Sequence, residues 1–251
     1  MGYPKNRQHS QRSVPLSGSL KQRAYSYIYE RLVNGEFSPG TPLSNRALAK
    51  EIGISYIPVR DAIGQLRGEG FITSSADGSH FVPEPSYEEL MEIYDFREAL
   101  ECHAAVKVCR FINDALMKEL RRYCDVFASV IKELEQSGGK MNNPSLLLQW
   151  SKTDAAFHDS IMSAAGNRQT LDTIRRLRVK SRIFGTKLKR HRLESLRRVC
   201  EEHYRILNAF EQGDAEAVRE AMSEHIRNGC SISLEAYHRS RLNAASVYET
   251  T

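Results

Sequence analysis

The 251-residue sequence contains no uninterrupted apolar run long enough to cross a bilayer, which takes about 20 residues as a helix. Its first nineteen residues also lack the apolar core of a secretory leader, so a cytoplasmic protein with no membrane partner is expected. Cysteine is scarce: Cys102, Cys109, Cys124, Cys200 and Cys230 are scattered, odd in number and without a C-x-x-C spacing. That excludes a disulfide framework and a thiolate zinc site, and leaves five buried thiols as the expectation. Strand-like patterns are missing as well from everything beyond Pro85, so the larger part of the chain should be helical.

The net charge of +5 is small but unevenly placed. Between Arg168 and Arg198 there are twelve Lys or Arg against Asp172 and Glu194, a local +10 that leaves the remainder at −5. Such a block favours anionic partners, although on a helix it also serves as an ordinary solvated face.

Met1 to Ser19 is polar, carries Lys5, Arg7 and Arg12 and has no period, which predicts a mobile basic arm over residues 1–19. Leu20, Ala24, Tyr27, Ile28 and Leu32 then recur at helical spacing, and Gly35 ends that helix. From Asn45 to Leu66 two short helices are broken at Gly53, with Ser44 and Ser55 placed as their caps. Pro58 falls in the first turn of the second helix, where the backbone N–H has no intrahelical partner to lose. At 100° per residue Val59, Ala62, Ile63 and Leu66 face inward, leaving Tyr56, Ile57, Arg60 and Asp61 outward. This is a helix-turn-helix whose open face suits a DNA major groove. Two short apolar runs, 71–73 and 80–82, flank Asp77-Gly78 and predict a hairpin, so residues 20–83 read as a winged helix.

Pro83-Glu84-Pro85 makes a stiff joint, placing a linker at 84–86 and a second domain at 87–240, followed by a tail at 241–251. Helices are predicted at 86–111, 113–136, 145–165, 167–190, 192–213 and 214–239, an all-α bundle of six, or seven if one is subdivided. The fold class is therefore mainly α: a winged helix-turn-helix joined to an antiparallel helical bundle.

Several polar residues lie on the apolar stripes of that bundle. Asp154 and His158, four apart, share a face with Trp150, Phe157 and Ile161. His203 lies on the midline of Leu196, Val199, Cys200, Leu207 and Phe210, and His225 sits among Val218, Ala221 and Met222. An inward carboxylate left unpaired is costly, and a divalent cation held by Asp154, His158, His203 and His225 relieves it. Imidazole with carboxylate suits Zn²⁺, Ni²⁺, Mn²⁺ or Fe²⁺. Arg97 occupies the middle of the apolar face of 86–111 with Glu101 one turn away. It is either one half of an internal pair with Glu101 or a clamp for a ligand carboxylate. Within the basic block Arg178, then Arg182, border the inward stripe of their helix.

The run Gly35-Glu36-Phe37-Ser38-Pro39-Gly40-Thr41-Pro42-Leu43, with Leu48-Ala49, Pro58-Val59-Arg60-Asp61-Ala62, Gly68-Glu69-Gly70-Phe71 and Gly78, resembles the GntR family of bacterial transcription regulators. Arg97-Glu98-Ala99-Leu100-Glu101, Asp154-x-x-Phe157-His158, Gly166-Asn167, Glu202-His203, Gly213-Asp214 and His225 are similar to the helical effector domain (FCD) of its FadR-type branch, with six helices as in the VanR subgroup. The resemblance covers residues 20–240. It implies a homodimer that binds a double-stranded operator and is controlled by a small acidic metabolite. It places Arg46, Ser55, Tyr56, Ile57, Arg60 and Gly78 at the DNA, the Asp/His set on a metal, and Arg97 on the effector; Arg178, and second Arg182, join the effector-binding set because they border the inward stripe of their helix. Tyr56 departs from the arginine frequent at that position, which alters the base edges this helix can read. The function expected is a ligand-responsive regulator, more specifically a repressor. A metal-dependent enzyme, or a regulator answering to the metal alone, are the alternatives that use the same Asp/His set.

Overall fold

The computed structural model describes residues 18–138, 143–185 and 193–248. Two compact units are distinguished, one built on residues up to Leu32 with Thr41–Val82, the other on Val33–Gly40 with residues from Pro83 onward. Residues 33–40, expected within the winged helix, thus group with the second unit. The basic arm predicted at 1–19 lies, up to residue 17, outside the described residues.

In the first unit α1 (Leu20–Val33) buries Ala24, Ile28 and Leu32, one residue per turn, while Leu20 at its start stays exposed. The first helix of the helix-turn-helix, α2 (Asn45–Ile52), starts where the Ser44 hydroxyl accepts the Ala47 N–H at 3.3 Å. It ends at Gly53, whose φ of 74° lets its own N–H bond the Ala49 carbonyl as the chain turns. The second, α3 (Tyr56–Gly68), begins after Ser55, which has the extended backbone of a cap but makes no capping hydrogen bond through its side chain. The expected Ser55 cap is therefore backbone geometry only. Val59, Ala62, Ile63 and Leu66 are fully buried, as the helical period requires. The wing is a three-stranded antiparallel sheet in the order β1 (Pro42–Leu43), β3 (His80–Phe81), β2 (Thr73–Ser74). Its registers pair Leu43 with His80 and Ser74 with His80 across the central strand. The hairpin was expected. The edge strand β1 was not, because two residues beginning with a proline carry no alternation to read.

The second unit has six helices among the described residues: α4 (Tyr87–Cys109), α5 (Asp114–Gln136), α6 (Pro144–Ala164), α7 (Arg168–Gly185), α8 (Leu193–Gln212) and α9 (Ala215–Tyr248). Their starts follow the polar punctuation of the sequence. Ser86 and Glu89 form a capping box on α4, Asn113 caps α5, Asn143 caps α6 ahead of Pro144, and Asp214 accepts the first N–H groups of α9. α9 continues to Tyr248, through most of the predicted tail at 241–251. The expected extension of α7 to residue 190 falls outside the described residues. α4 packs against α6, α7 and α9, and α8 lies between α5 and α9. One apolar cluster gathers Val108, Phe157, Ile161, Leu207 and Met222, and a second gathers Phe127, Leu134, Trp150 and Leu196. Phe127 of the second and Phe157 of the first both touch the His203 ring, with ring centres 4.4 and 4.7 Å away. A polar cluster thus sits where the two apolar clusters meet. No described helix is long and apolar enough to cross a membrane.

Candidate metal centre and nucleic-acid face

Asp154 and His158 from α6, His203 from α8 and His225 from α9 converge, each offering one ligand atom so that all four atoms lie within 4.8 Å of one another. The three histidines are buried; the Asp154 side chain is 27% exposed and forms the side of the cluster open to solvent.

What fixes the rings is the other nitrogen of each imidazole. His158 Nδ1 lies 2.5 Å from Glu101 Oε2 on α4 and His225 Nδ1 lies 2.9 Å from Glu202 Oε2 on α8. His203 Nδ1 lies 2.7 Å from the Val199 carbonyl. An ionised carboxylate and a carbonyl only accept, so each Nδ1 carries the proton and donates it. Asn228 Nδ2 in turn donates to Glu202 Oε1 at 2.7 Å. Burial and the nearby Arg178 charge hold His158 down at about 3, and burial with the neighbouring His203 lowers His225. Both rings are neutral, and with Nδ1 protonated each Nε2 is a bare lone pair.

Among the described residues those lone pairs have nothing to accept from. His158 Nε2 and His225 Nε2 stand 3.1 Å apart. His203 Nε2 is buried without a hydrogen-bond partner, and the atom it faces, Asp154 Oδ1 at 3.5 Å, is another acceptor. Four acceptors pointing at one another repel unless a cation stands among them. Their mutual spacing is near that of donors around an ion with ligand distances of about 2.0–2.2 Å. Nitrogen and carboxylate donors with outer acceptors on every imidazole are the arrangement that divalent transition ions favour. The residues present fit the metal expected from the sequence.

Of the three arginines named from the sequence, Arg178 bonds a member of this cluster, Arg97 reaches it through Glu101, and Arg182 bonds the backbone of α6. Arg97 Nε donates to Glu101 Oε1 at 2.8 Å, so the internal pair is what forms, and its guanidinium also lies 5.0 Å from the centre of the Tyr94 ring. Arg178 Nη2 donates to Asp154 Oδ2 at 2.5 Å, which leaves Oδ1 turned to the histidines. Its Nη1 is buried without a hydrogen bond, 3.7 Å from Glu101 Oε2. Arg182, half-buried, donates to the Ser151 carbonyl at 3.1 Å. Burial would raise the Glu101 carboxyl, but Arg97, His158 and Arg178 together pull it well below the ordinary carboxylate range. Asp154 is likewise held low against its burial, first by Arg178.

Glu101 entered the sequence reading as a partner for Arg97 and, like Glu202, as part of a motif. The roles they take here depend on helices brought together by the fold. Their signal was burial-prone position: Glu101 shares the apolar face of α4 with Arg97. A surface groove of about 650 Å³ between α5, α6 and α7 includes none of the Asp/His set. Its Glu119 already accepts from Tyr123 and Ser160, so it offers no comparable chemistry. Of the five cysteines four are buried as expected, whereas Cys230 is half-buried.

In the first unit Arg46, Ser55, Tyr56, Ile57, Arg60 and Gly78 are all exposed. Tyr56 and Ile57 are 44% and 59% exposed at the outward start of α3. Asn45 Nδ2 donates to the Tyr56 hydroxyl at 3.4 Å, tying the starts of α2 and α3. Arg60 rests on the adjacent Asp61, its Nη2 3.2 Å from Oδ1, an exposed contact that a phosphate readily replaces. Gly78 stands at the wing tip with a φ of 83°, a conformation that strains any residue with a Cβ. His80, beside it, bonds the Ser74 hydroxyl at 2.8 Å and is a strand residue.

Residues 20–82 match the model of the gntR family of bacterial regulatory proteins, and residues 92–228 match that of the FCD domain. YdhC of Bacillus subtilis strain 168, described as an uncharacterized HTH-type transcriptional regulator, is 24% identical over 210 residues, covering 82% of this chain and 87% of its own. The HTH-type transcriptional repressor RspR of Escherichia coli K12 is 23% identical over 213 residues, covering 83% and 86%. The solved structure of E. coli McbR/YncC superposes with a TM-score of 0.74 over 88% of this chain and 100% of that one, at 21% identity, a likeness of fold.

Proposed function

The chain belongs to the gntR family of DNA-binding transcription regulators with an FCD domain, and from that premise we propose that it is a homodimeric repressor whose helical unit holds a divalent metal and a small carboxylate. Membership of a regulator family removes the support for the enzyme alternative. The repressor reading draws on the relative RspR, a transcriptional repressor by name.

The observation that carries the proposal is the convergence of three imidazole Nε2 atoms and Asp154 Oδ1, each with its remaining polar atom already engaged elsewhere. Asp154, His158, His203 and His225 would hold the ion. Glu101, Glu202 and the Val199 carbonyl keep the rings turned toward it. A bound divalent ion would supply positive charge and coordination positions beyond the four protein donors. Arg178 holds Asp154 in place and keeps one buried N–H donor for an acid, and Arg97 and Arg182 complete the proposed effector set.

In the first unit Ser55, Tyr56, Ile57 and Arg60 would meet base edges and phosphates in the major groove, with Arg46 and Gly78 on the backbone at either side. Tyr56 offers a hydroxyl and a ring face in place of a guanidinium. Ligand binding can change operator affinity only by its unequal affinity for the two arrangements of the dimer. The test is operator binding by fluorescence anisotropy with metal removed, restored, and restored with carboxylic acids. Release only in the last condition supports the proposal; release by metal alone supports a metal-responsive regulator; indifference to all three refutes both.

A further inference from the structure

Of the residues placed at the DNA, Tyr56 is held from outside its own helix. It opens α3, and its hydroxyl accepts from Asn45 Nδ2 at 3.4 Å, so the first residues of α2 and α3 are joined across eleven positions of the chain. Arg60, by contrast, bonds Asp61 beside it on α3, and the Ser55 side chain makes no capping bond. An exposed tyrosine with two free torsions can place its hydroxyl at several points in a groove. A hydrogen bond at its tip selects among them before DNA arrives, and the ordering is then not charged to binding.

Asn45 is suited to be the fixed partner. It is half-buried, and its Oδ1 is buried without a hydrogen bond. The amide is therefore packed in place, and its inner end weakens the fold, because a buried acceptor left unmet is unfavourable. The cap of α2 is Ser44, one residue earlier, so Asn45 is not required to start that helix. Alanine would sit in this first turn without an unmet acceptor. What asparagine adds here is the contact with Tyr56.

We propose that Asn45 is a positioning residue for operator recognition: it acts through Tyr56, fixing that hydroxyl over one base pair of the bound site and so setting which base is preferred there. The proposal rests on the DNA-reading assignment of Tyr56 above. Base pairs present donors and acceptors at different places along their major-groove edges, and a hydroxyl tells them apart only when its own place is set. A tip free to swing meets a neighbouring edge instead, and the preference at that base pair falls while contacts made by other residues remain.

The test is repeated selection from a pool of randomised DNA duplexes by the full-length protein, sequenced for wild type, Tyr56→Phe, Asn45→Ala and the double variant. Tyr56→Phe keeps the ring and removes the hydroxyl, so the position where preference falls is the base pair which that hydroxyl reads. Asn45→Ala should lower the preference at the same position by about three- to tenfold, the weight of one hydrogen bond, and leave the other positions within about twofold. The double variant should match Tyr56→Phe alone, since Asn45 acts only through the hydroxyl. The unfolding midpoint of Asn45→Ala should not fall. An unchanged preference in Asn45→Ala, a loss at a different position, a double variant in which the two losses add, or losses spread over all positions with a lowered midpoint would each overturn the proposal. The two readings fail differently. If the wild type enriches no sequence, or Tyr56→Phe keeps every preference, the DNA-reading assignment of Tyr56 is wrong and the proposal falls with it; a loss in Tyr56→Phe with none in Asn45→Ala refutes the role of Asn45 alone.

Discussion

His158 Nε2 and His225 Nε2 lie 3.1 Å apart, on α6 and α9, and neither holds a proton, because each ring donates its only one from Nδ1 to a buried glutamate. Two lone pairs at that distance repel, and a cation between them would relieve the repulsion. Adding a divalent ion should therefore raise the unfolding midpoint, with about 2.7 kcal/mol gained when free ion exceeds its Kd a hundredfold. Calorimetric scans with and without Zn²⁺ or Ni²⁺ measure this. His203→Ala, which removes a ligand from between Phe127 and Phe157, should abolish the increment; an equal increment in the variant would place the ion elsewhere.

Arg60 is exposed and held only by its neighbour Asp61. Arg60→Ala should weaken specific operator binding by about 1–3 kcal/mol and leave the oligomeric state unchanged. Anisotropy titrations with sedimentation on the same samples check both halves. Unaltered affinity would remove Arg60 from the reading face.

The two serines of the helix-turn-helix should behave differently. Ser44 accepts a backbone N–H of α2, so Ser44→Ala should cost about 1 kcal/mol. Ser55 makes no such bond, so Ser55→Ala should change stability by less than about 0.5 kcal/mol. Urea unfolding followed by circular dichroism gives both values, and equal losses would contradict the difference in capping.

Acid should destabilise the metal-free protein well before its carboxylates titrate. Folded His158 is held at about 3 by burial and Arg178, below the ordinary 6.5, so between those values the unfolded chain binds the extra proton. Its contribution is complete above pH 6.5 and is lost as pH falls toward 3. Between pH 7 and pH 5 the loss should be about 2 kcal/mol, read from urea midpoints in the presence of a chelator. Flat stability over that interval would mean that His158 is not buried as a neutral ring.

Much of this was legible in the sequence, where a side chain's own helix decides its direction. Val59, Ala62, Ile63 and Leu66 follow the α3 period into the core, and the same reasoning sends Asp154, His158, His203 and His225 inward from three helices. Asn113, Asn143 and Asp214 mark helix starts because their side chains satisfy free N–H groups locally. What escaped depends on the tertiary arrangement. Glu101 reaches His158 across 57 positions and Glu202 reaches His225 rather than its neighbour His203, pairings that no periodicity contains. Arg97 was compatible with two partners, and its Nε here donates to Glu101 one turn along the same helix. β1 escaped because a two-residue strand exists only through pairing with β3.

The central claim, that Asp154 and the three histidines form a metal site, is tested most directly by metal analysis of the purified protein. Plasma mass spectrometry after equilibration with Zn²⁺, Ni²⁺, Mn²⁺ and Fe²⁺ and removal of free ions should find about one divalent ion per chain in the wild type, and the Asp154→Ala, His203→Ala double variant should retain almost none, because only two of the four donors remain. A wild type that holds no ion, or a double variant that holds as much, would contradict the account.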